Sequence, residues 1–153
     1  MRCNVGKRVV DEIFDPLSHE NPELFNGLWQ HFSKPEHWGI YEDMNTLLHK
    51  LLNRDIYVGL ASNFDKRLQG ICMEHFPLIE SKHIFYSSKL GYAKPHIQFY
   101  KQIERYFNDL NYSFIMIGDD LENDIIAAKK AGWNAIHRND ISSLLLKLDL
   151  EEI

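Results

Sequence analysis

One segment limits the choice of fold most: an apolar run that ends in a glycine and then in a group of acidic residues. Residues 114–118 are FIMIG and residues 119–124 are DDLEND. The apolar run is typical of a buried strand, and its glycine lets the chain turn tightly. The following apolar and lysine-containing stretch predicts a helix that stops at Gly132. Asp119 and Asp120 are therefore expected at the carboxyl end of a strand, where open α/β folds bind ligands.

The acidic group favours a metal site over a simple helix cap. Mg²⁺ would suit it, because this cation takes oxygen ligands and keeps several waters. An Asp or Asn after a strand also commonly caps the next helix, and Asn123 or Asp119 alone would serve that purpose. A cap needs one such residue, whereas this loop has five polar residues, four of them acidic.

Two earlier segments add groups that suit an anion. Residues 56–61 are largely apolar, and Ser62 and Asn63 follow them directly. A serine hydroxyl with adjacent main-chain N–H groups at a strand end makes a phosphate cradle. Lys94 precedes Pro95, which suits the first turn of a helix, so its ammonium is expected at a junction that opens on a cleft. The alternatives are a helix cap for Ser62 and a solvated surface position for Lys94.

In this order and spacing, the three segments resemble the haloacid dehalogenase-like (HAD) hydrolase superfamily, in the subgroup that carries a helical cap. Residues 61–65 (ASNFD) are similar to its second motif, residues 91–100 (GYAKPHIQFY) to its third and residues 118–132 (GDDLENDIIAAKKAG) to its fourth. The third and fourth motifs are specific, and the second is weak alone. The resemblance covers roughly residues 38–138.

The resemblance implies a role for each candidate residue. Ser62, with Asn63 and Lys94, would bind the transferring phosphoryl group, and Lys94 would balance its charge. Asp119 would ligate Mg²⁺, with Asp124 supporting the metal site. The substrate would be a phosphorylated small molecule.

The family's first motif, Asp-x-Asp, occurs nowhere in these 153 residues. In the family its first Asp is the nucleophile and its second is the general acid/base. The early Asp11 follows an apolar run of only two residues and is interpreted as a polar position on an amphipathic helix. The chain is therefore expected to begin inside the family's cap, to be incomplete as an enzyme and to be inactive alone.

Three functions are compared for this set of residues without the Asp-x-Asp motif. A phosphate-sensing receiver domain also uses strand-end acids, a Ser or Thr and a Lys-Pro, but there the acids come first, whereas Ser62 and Lys94 precede Asp119 here. A non-catalytic HAD-like scaffold that binds a ligand or protein is supported by the missing nucleophile. An incomplete, Mg²⁺-dependent phosphomonoester hydrolase is placed ahead of the scaffold, because the other candidate residues are retained.

The predicted fold class is α/β: a parallel, Rossmann-like sheet wound with helices, missing its first central strand. Residues 1–40 are expected to be a helical cap remnant and linker, and residues 41–153 the α/β core. Strands are predicted at 57–62, 83–88, 114–118 and 134–137. Helices are predicted at 44–52, 66–74, 95–107, 123–131 and 141–150. The resemblance places the missing strand between those ending at Ser62 and Gly118, which are expected to close up and pair directly or to recruit another chain.

Composition narrows the partners further. A net charge of −5 argues against general nucleic-acid binding, which needs a basic face. No apolar run is long enough to span a membrane and no signal peptide is evident, so a cytoplasmic location is the default. Of two cysteines, Cys72 is expected to be a buried thiol. The eight histidines form no metal-ligand spacing and are expected at surfaces or helix ends, with His96 near the site.

Overall fold

The strands of this protein are short and parallel, and a helix or helical turn follows each of them. The computed structural model describes residues 21, 23–54, 56–107 and 112–150. The chain divides into two units, residues 1–39 and residues 40–153. In the first unit, helix α1 (Leu24–His31) is followed by a 3-10 turn at Pro35–His37. Asp11 and Cys3 lie outside the described residues.

The second unit alternates strands and helices as predicted. Its strands are β1 (Leu60–Ser62), β2 (Ile84–Tyr86), β3 (Ile115–Gly118) and β4 (Asn134–His137). Its helices are α2 (Glu42–Leu52), α3 (Arg67–His75), α4 (Ser87–Leu90), α5 (Ile97–Tyr106), α6 (Ala127–Lys130) and α7 (Ile141–Leu150). A π-helix, Leu121–Ile126, joins β3 to α6, and 3-10 turns lie at Ser81–His83 and Arg138–Asp140.

Each strand pairs in parallel with one neighbour, and the pairs form two separate sheets. β1 pairs with β2 so that Ser62 lies opposite Tyr86, and β3 pairs with β4 so that Gly118 lies opposite His137. Within the described part of the chain, β1 and β3 do not pair with each other. The prediction that these two strands close up directly is therefore wrong. Lys94 links the two sheets instead, because its ammonium contacts the carbonyl of Ala61 in β1 and the carboxylate of Asp124, which follows β3.

Two apolar clusters bury the faces of the sheets. The larger one packs β2, β3, α5 and α6 together. Its buried members are Phe85, Phe99, Tyr100, Ile103, Met116, Ala127, Ala128, Ala131 and Trp133. The smaller one packs α2 and α3 against β2 through Leu48, Cys72, Ile79 and Ile84. Cys72 is a buried free thiol, as predicted, and burial raises its pKa to about 11.

Several element boundaries differ from the prediction for local reasons. The chain after β2 turns into α4 at Ser87 instead of remaining extended to Ser88. Helix α5 begins at Ile97, after Pro95, because His96 takes an extended conformation and caps the helix by accepting the N–H of Gln98. Pro95 is therefore not in the first helical turn. Gly132 does end α6, with a φ of 93°, the left-handed conformation that glycine tolerates.

His83 ends the 3-10 turn Ser81–His83, a helix-end position as expected, but it does not lie at the surface. Its side chain is buried and its ring packs edge-on against Tyr57 and Tyr106 and tilted against Phe107. Burial lowers the pKa of His83, so the ring is held neutral at neutral pH. None of the described helices has the length and apolar character needed to cross a bilayer.

The edge of β3 generates the first prediction. Ile115 is 56% exposed in β3, and β4 is the strand's only partner within the described residues. An exposed apolar strand edge promotes pairing with another chain, and lysine at such an edge opposes it. Ile115→Lys should reduce self-association in size-exclusion chromatography with light scattering, at a stability change below about 0.5 kcal/mol.

The matched control is Leu146→Lys. Leu146 lies on helix α7 and not on a strand, and its side chain is 66% exposed. It should leave self-association unchanged. A wild-type chain that is monomeric at all concentrations, with a cooperative melt, would contradict the prediction.

Candidate functional site

An ion pair between Lys94 and Asp124 forms the centre of the candidate site. The Nζ atom of Lys94 lies 2.5 Å from Oδ1 of Asp124, and the two side chains are only 10% and 7% exposed. The same ammonium donates to the carbonyl oxygen of Ala61 at 3.2 Å. Lys94 therefore connects the end of β1 to the segment that follows β3, and the alternative of a solvated surface lysine is excluded by its burial.

The loop that carries Lys94 is attached to β1 by Asn63. The side-chain amide of Asn63 donates to the Lys94 carbonyl oxygen at 2.8 Å, and its Oδ1 accepts the Lys94 main-chain N–H at 2.7 Å. Both polar atoms of this amide are therefore engaged within the protein. The predicted binding of phosphate by Asn63 stays a prediction, and the side chain of Asn63 holds the main chain of Lys94 at both polar groups.

Gly118 is required by a close approach. A Cβ added at this position would lie 2.3 Å from Oδ2 of Asp124, so any side chain would displace the buried carboxylate. Its φ is not in the left-handed region, in contrast to Gly91 and Gly132. The chain does bend directly after Gly118, at Asp119, and the sequence analysis missed a second reason for this glycine, which is that it makes room for Asp124.

The acidic residues after β3 have separate tasks. Asp120 caps the π-helix, because its Oδ1 accepts the main-chain N–H of Asn123 at 2.8 Å. This bond, together with one from the side chain of Asn123, lowers the pKa of the Asp120 carboxyl group. The Tyr100 hydroxyl donates to the carbonyl of Asn123. Burial, with Asp124 and Asp120 nearby, raises the pKa of Tyr100 to about 12, so it stays a donor at neutral pH. The N–H of Asp120 donates to Oδ2 of Asp124 at 3.2 Å.

Asp119 and Ser62 are the two candidates with open side chains. Asp119 is exposed, and its carboxylate has no ion-pair or hydrogen-bond partner within the described part of the chain. Ser62 is half-buried at the last position of β1, directly after Ala61. The structure therefore brings Lys94, Asn63 and Asp124 into contact. Asp119 and Ser62 each adjoin in the chain a residue that bonds to the ion pair, Asp120 and Ala61 respectively.

The donors at this edge can be compared with the needs of Mg²⁺. The described residues contain no group of three or more metal-ligating side chains arranged as a closed site. Mg²⁺ is commonly held by one or two carboxylates plus waters and substrate phosphate, and the exposed carboxylate of Asp119 fits that chemistry. Asp124 does not fit as a direct ligand, because Lys94 and the Asp120 N–H occupy its oxygens. It fits a supporting position.

One residue at this edge was missed by the sequence analysis. His137 ends β4, opposite Gly118, and its Nε2 lies 3.1 Å from the carbonyl oxygen of Asp119. The available signal was its place at the carboxyl end of the strand predicted at 134–137, which is the next strand along the chain after the one that precedes the acidic residues. His96, which was expected near the site, stacks on Tyr92 and caps α5.

The contact between Gly118 and Asp124 generates a prediction about stability. Gly118→Ala should push the Asp124 carboxylate away from Lys94 and cost about 2–4 kcal/mol of unfolding free energy, since it combines overpacking with a broken buried ion pair. Denaturant unfolding would measure this loss.

Gly70→Ala is the matched control. Gly70 lies in the interior of α3, and a Cβ there would meet nothing within 4 Å. This change should stabilise the protein by about 0.5–1 kcal/mol. Equal effects of the two substitutions would contradict the packing role of Gly118.

Comparisons with known proteins identify the family of this chain. The chain is 28% identical over 133 residues to the haloacid dehalogenase-like hydrolase domain-containing protein 3 of Danio rerio, which covers 86% of this chain and 55% of that protein. An uncharacterized protein of Saccharomyces cerevisiae is 29% identical, with 86% of this chain and 49% of that protein covered. The chain thus spans about half the length of these curated relatives.

The fold also resembles a solved structure, that of a HAD phosphatase from Thermococcus onnurineus. The TM-score is 0.55 at 21% identity, with 66% of this chain and 47% of that chain covered. The family model described as haloacid dehalogenase-like hydrolase matches residues 6–137, most of the chain. The chain belongs to the haloacid dehalogenase-like hydrolase family.

Proposed function

We propose that this protein serves Mg²⁺-dependent hydrolysis of phosphomonoesters, with small phosphorylated molecules as substrates. The observation that carries the proposal is the buried Lys94 ammonium, held 2.5 Å from Asp124 and bound to the end of β1. A cation fixed in this way, beside a strand-end serine and an exposed carboxylate, suits a transferring phosphoryl group, whose catalysis consists mainly of positioning and charge stabilisation.

Each residue has a defined part in this proposal. The Ser62 hydroxyl donates a hydrogen bond to a phosphoryl oxygen, and Lys94 offsets part of the negative charge. Asn63 holds the Lys94 loop on β1 through its amide, and Asp124 fixes the ammonium in direction. Asp119 is the Mg²⁺ ligand. When bound, Mg²⁺ would neutralise charge on the phosphoryl oxygens.

A nucleophile must complete this chemistry. Covalent phosphoryl transfer needs an activated group that takes the phosphoryl, and in the family an Asp-x-Asp motif supplies it. These 153 residues contain no such motif. We propose that turnover requires that motif in addition to the residues of this chain.

The missing motif also favours a second candidate function. A non-catalytic HAD-like scaffold would keep the ion pair for its structural value and bind a ligand or a protein without turnover. Turnover separates the two proposals, because a scaffold would not hydrolyse a phosphomonoester even when the missing motif is supplied.

Mg²⁺ binding to Asp119 is the first test. The affinity should be millimolar, about 4 kcal/mol, because a single open carboxylate is a sparse ligand set. Amide resonances of residues 118–124 should shift on titration with Mg²⁺, and Asp119→Asn should abolish the shifts. Glu122→Gln, an exposed acid of the same segment, should preserve them. An unchanged response in Asp119→Asn would show the assignment to be wrong.

Turnover is the second test. The chain alone should hydrolyse p-nitrophenyl phosphate no faster than the buffer blank, whereas a fusion that adds a family Asp-x-Asp strand should gain Mg²⁺-dependent activity. In that fusion Lys94→Met and Ser62→Ala should each lower kcat about 10²–10³-fold, the usual cost of a lost charge-stabilising group.

The matched controls are Lys129→Met and Ser142→Ala, which are exposed on α6 and α7, and both should keep the activity of the fusion. Robust activity of the chain alone that Asp11→Asn removes would overturn the proposal and identify Asp11 as the nucleophile. A fusion that binds Mg²⁺ but never turns over would favour the scaffold.

A further inference from the structure

The end of β4 contacts the loop that carries the proposed metal ligand. His137 lies opposite Gly118 in the parallel register. Its Nε2 is 3.1 Å from the carbonyl oxygen of Asp119. Its Nδ1 lies 3.2 Å from the main-chain nitrogen of Asn139. Both ring nitrogens are therefore bound to main-chain atoms.

These two contacts define which nitrogen carries the proton. The Asn139 N–H is a donor, so Nδ1 must accept it and carries no hydrogen. A neutral imidazole has one donor and one acceptor, so its hydrogen is on Nε2. Nε2–H then donates to the Asp119 carbonyl oxygen, which has no hydrogen to give.

The peptide group between Asp119 and Asp120 is held at both of its polar atoms. Its oxygen accepts from His137 at 3.1 Å, and its N–H donates to Oδ2 of Asp124 at 3.2 Å. The plane of this peptide group is thereby fixed, and with it the direction in which the Asp119 side chain leaves the main chain. The Asp119 carboxylate has no partner of its own within the described residues, so the main chain is the part of Asp119 that these contacts hold in place.

We propose that His137 is a positioning residue for the Asp119 carboxylate, acting through the Asp119–Asp120 peptide group. The inference rests on the proposed function, since it concerns the same Mg²⁺ site. Residues that orient metal ligands without touching the metal commonly cost tenfold or more in affinity when they are lost.

A matched pair of substitutions tests the proposal. Glutamine extends its amide nitrogen to about the place of Nε2 and keeps the donor to Asp119, whereas asparagine reaches only the place of Nδ1. In the 153-residue chain, His137→Asn should raise the Mg²⁺ dissociation constant about tenfold. His137→Gln should restore it to within about threefold of wild type. His49→Asn, an exposed histidine of α2, should leave the value unchanged.

A second measurement needs no metal. Long-range ¹H–¹⁵N correlation of the histidine rings near pH 8 should show Nε2 of His137 protonated and Nδ1 unprotonated. The Asp120 amide resonance should shift in His137→Asn and return towards its wild-type position in His137→Gln.

The outcomes separate the two proposals. If the wild type binds Mg²⁺ and both His137 variants bind it equally well, or if Nδ1 carries the proton, the positioning role is overturned and the proposed function stands. If His137→Gln weakens Mg²⁺ binding as much as His137→Asn does, and thermal melts show that both variants are destabilised, the loss of affinity reflects a loss of structure and the positioning role is again overturned. If the wild type gives no Mg²⁺ response, both proposals fall.

Discussion

The buried ion pair between Lys94 and Asp124 is the interaction on which the rest of the site depends. It joins three parts of the chain that the two separate sheets do not connect by strand pairing: the end of β1, the loop before α5 and the π-helix after β3. Such a pair adds little net stability, since its desolvation offsets most of the attraction. Removing one partner is costly, because a buried charge is left without a counter-charge. Loss of Lys94 or of Asp124 alone would therefore destabilise the protein.

The burial of Asp124 in turn depends on the backbone around it. Gly118 leaves the space for the carboxylate, and the Asp120 N–H and the ammonium occupy its oxygens. The residue lies in a π-helix, which Asp120 caps at its start and whose Asn123 carbonyl accepts the Tyr100 hydroxyl. π-helical turns occur often at functional sites. Here the wide turn is consistent with a segment shaped around one carboxylate.

Strong local signals made much of the fold predictable from the sequence. β4 and α7 lie at the residues predicted, 134–137 and 141–150, because apolar patterning and turn residues bound each of them. The site was predictable to the extent that its charged residues follow strand ends. Strand lengths were overestimated, since apolar residues continue beyond the paired part: Ile56 and Tyr57 are exposed and precede β1.

The roles that the sequence analysis missed share one physical cause. Each is set by contacts between residues that are distant from each other in the chain. The close packing of Asp124 against Gly118 and the bonds from the Asn63 amide to Lys94 appear only when the chain is folded. His83 and His137 carry no local pattern that distinguishes a ring buried among aromatic side chains from a ring bound to two main-chain atoms. Only the neighbours across the fold assign these roles.

The charges at the site connect the metal to the phosphate in the proposed function. One ammonium, Lys94, stands against the three carboxylates of Asp119, Asp120 and Asp124, and Asp124 already neutralises it. A phosphate dianion that approaches this edge would meet a net negative charge. Mg²⁺ at Asp119 would reverse that balance, so the metal would raise phosphate affinity. By thermodynamic linkage phosphate would raise metal affinity by the same factor. Weak binding of either ligand alone is therefore what the charges of this site predict, and tight binding requires both.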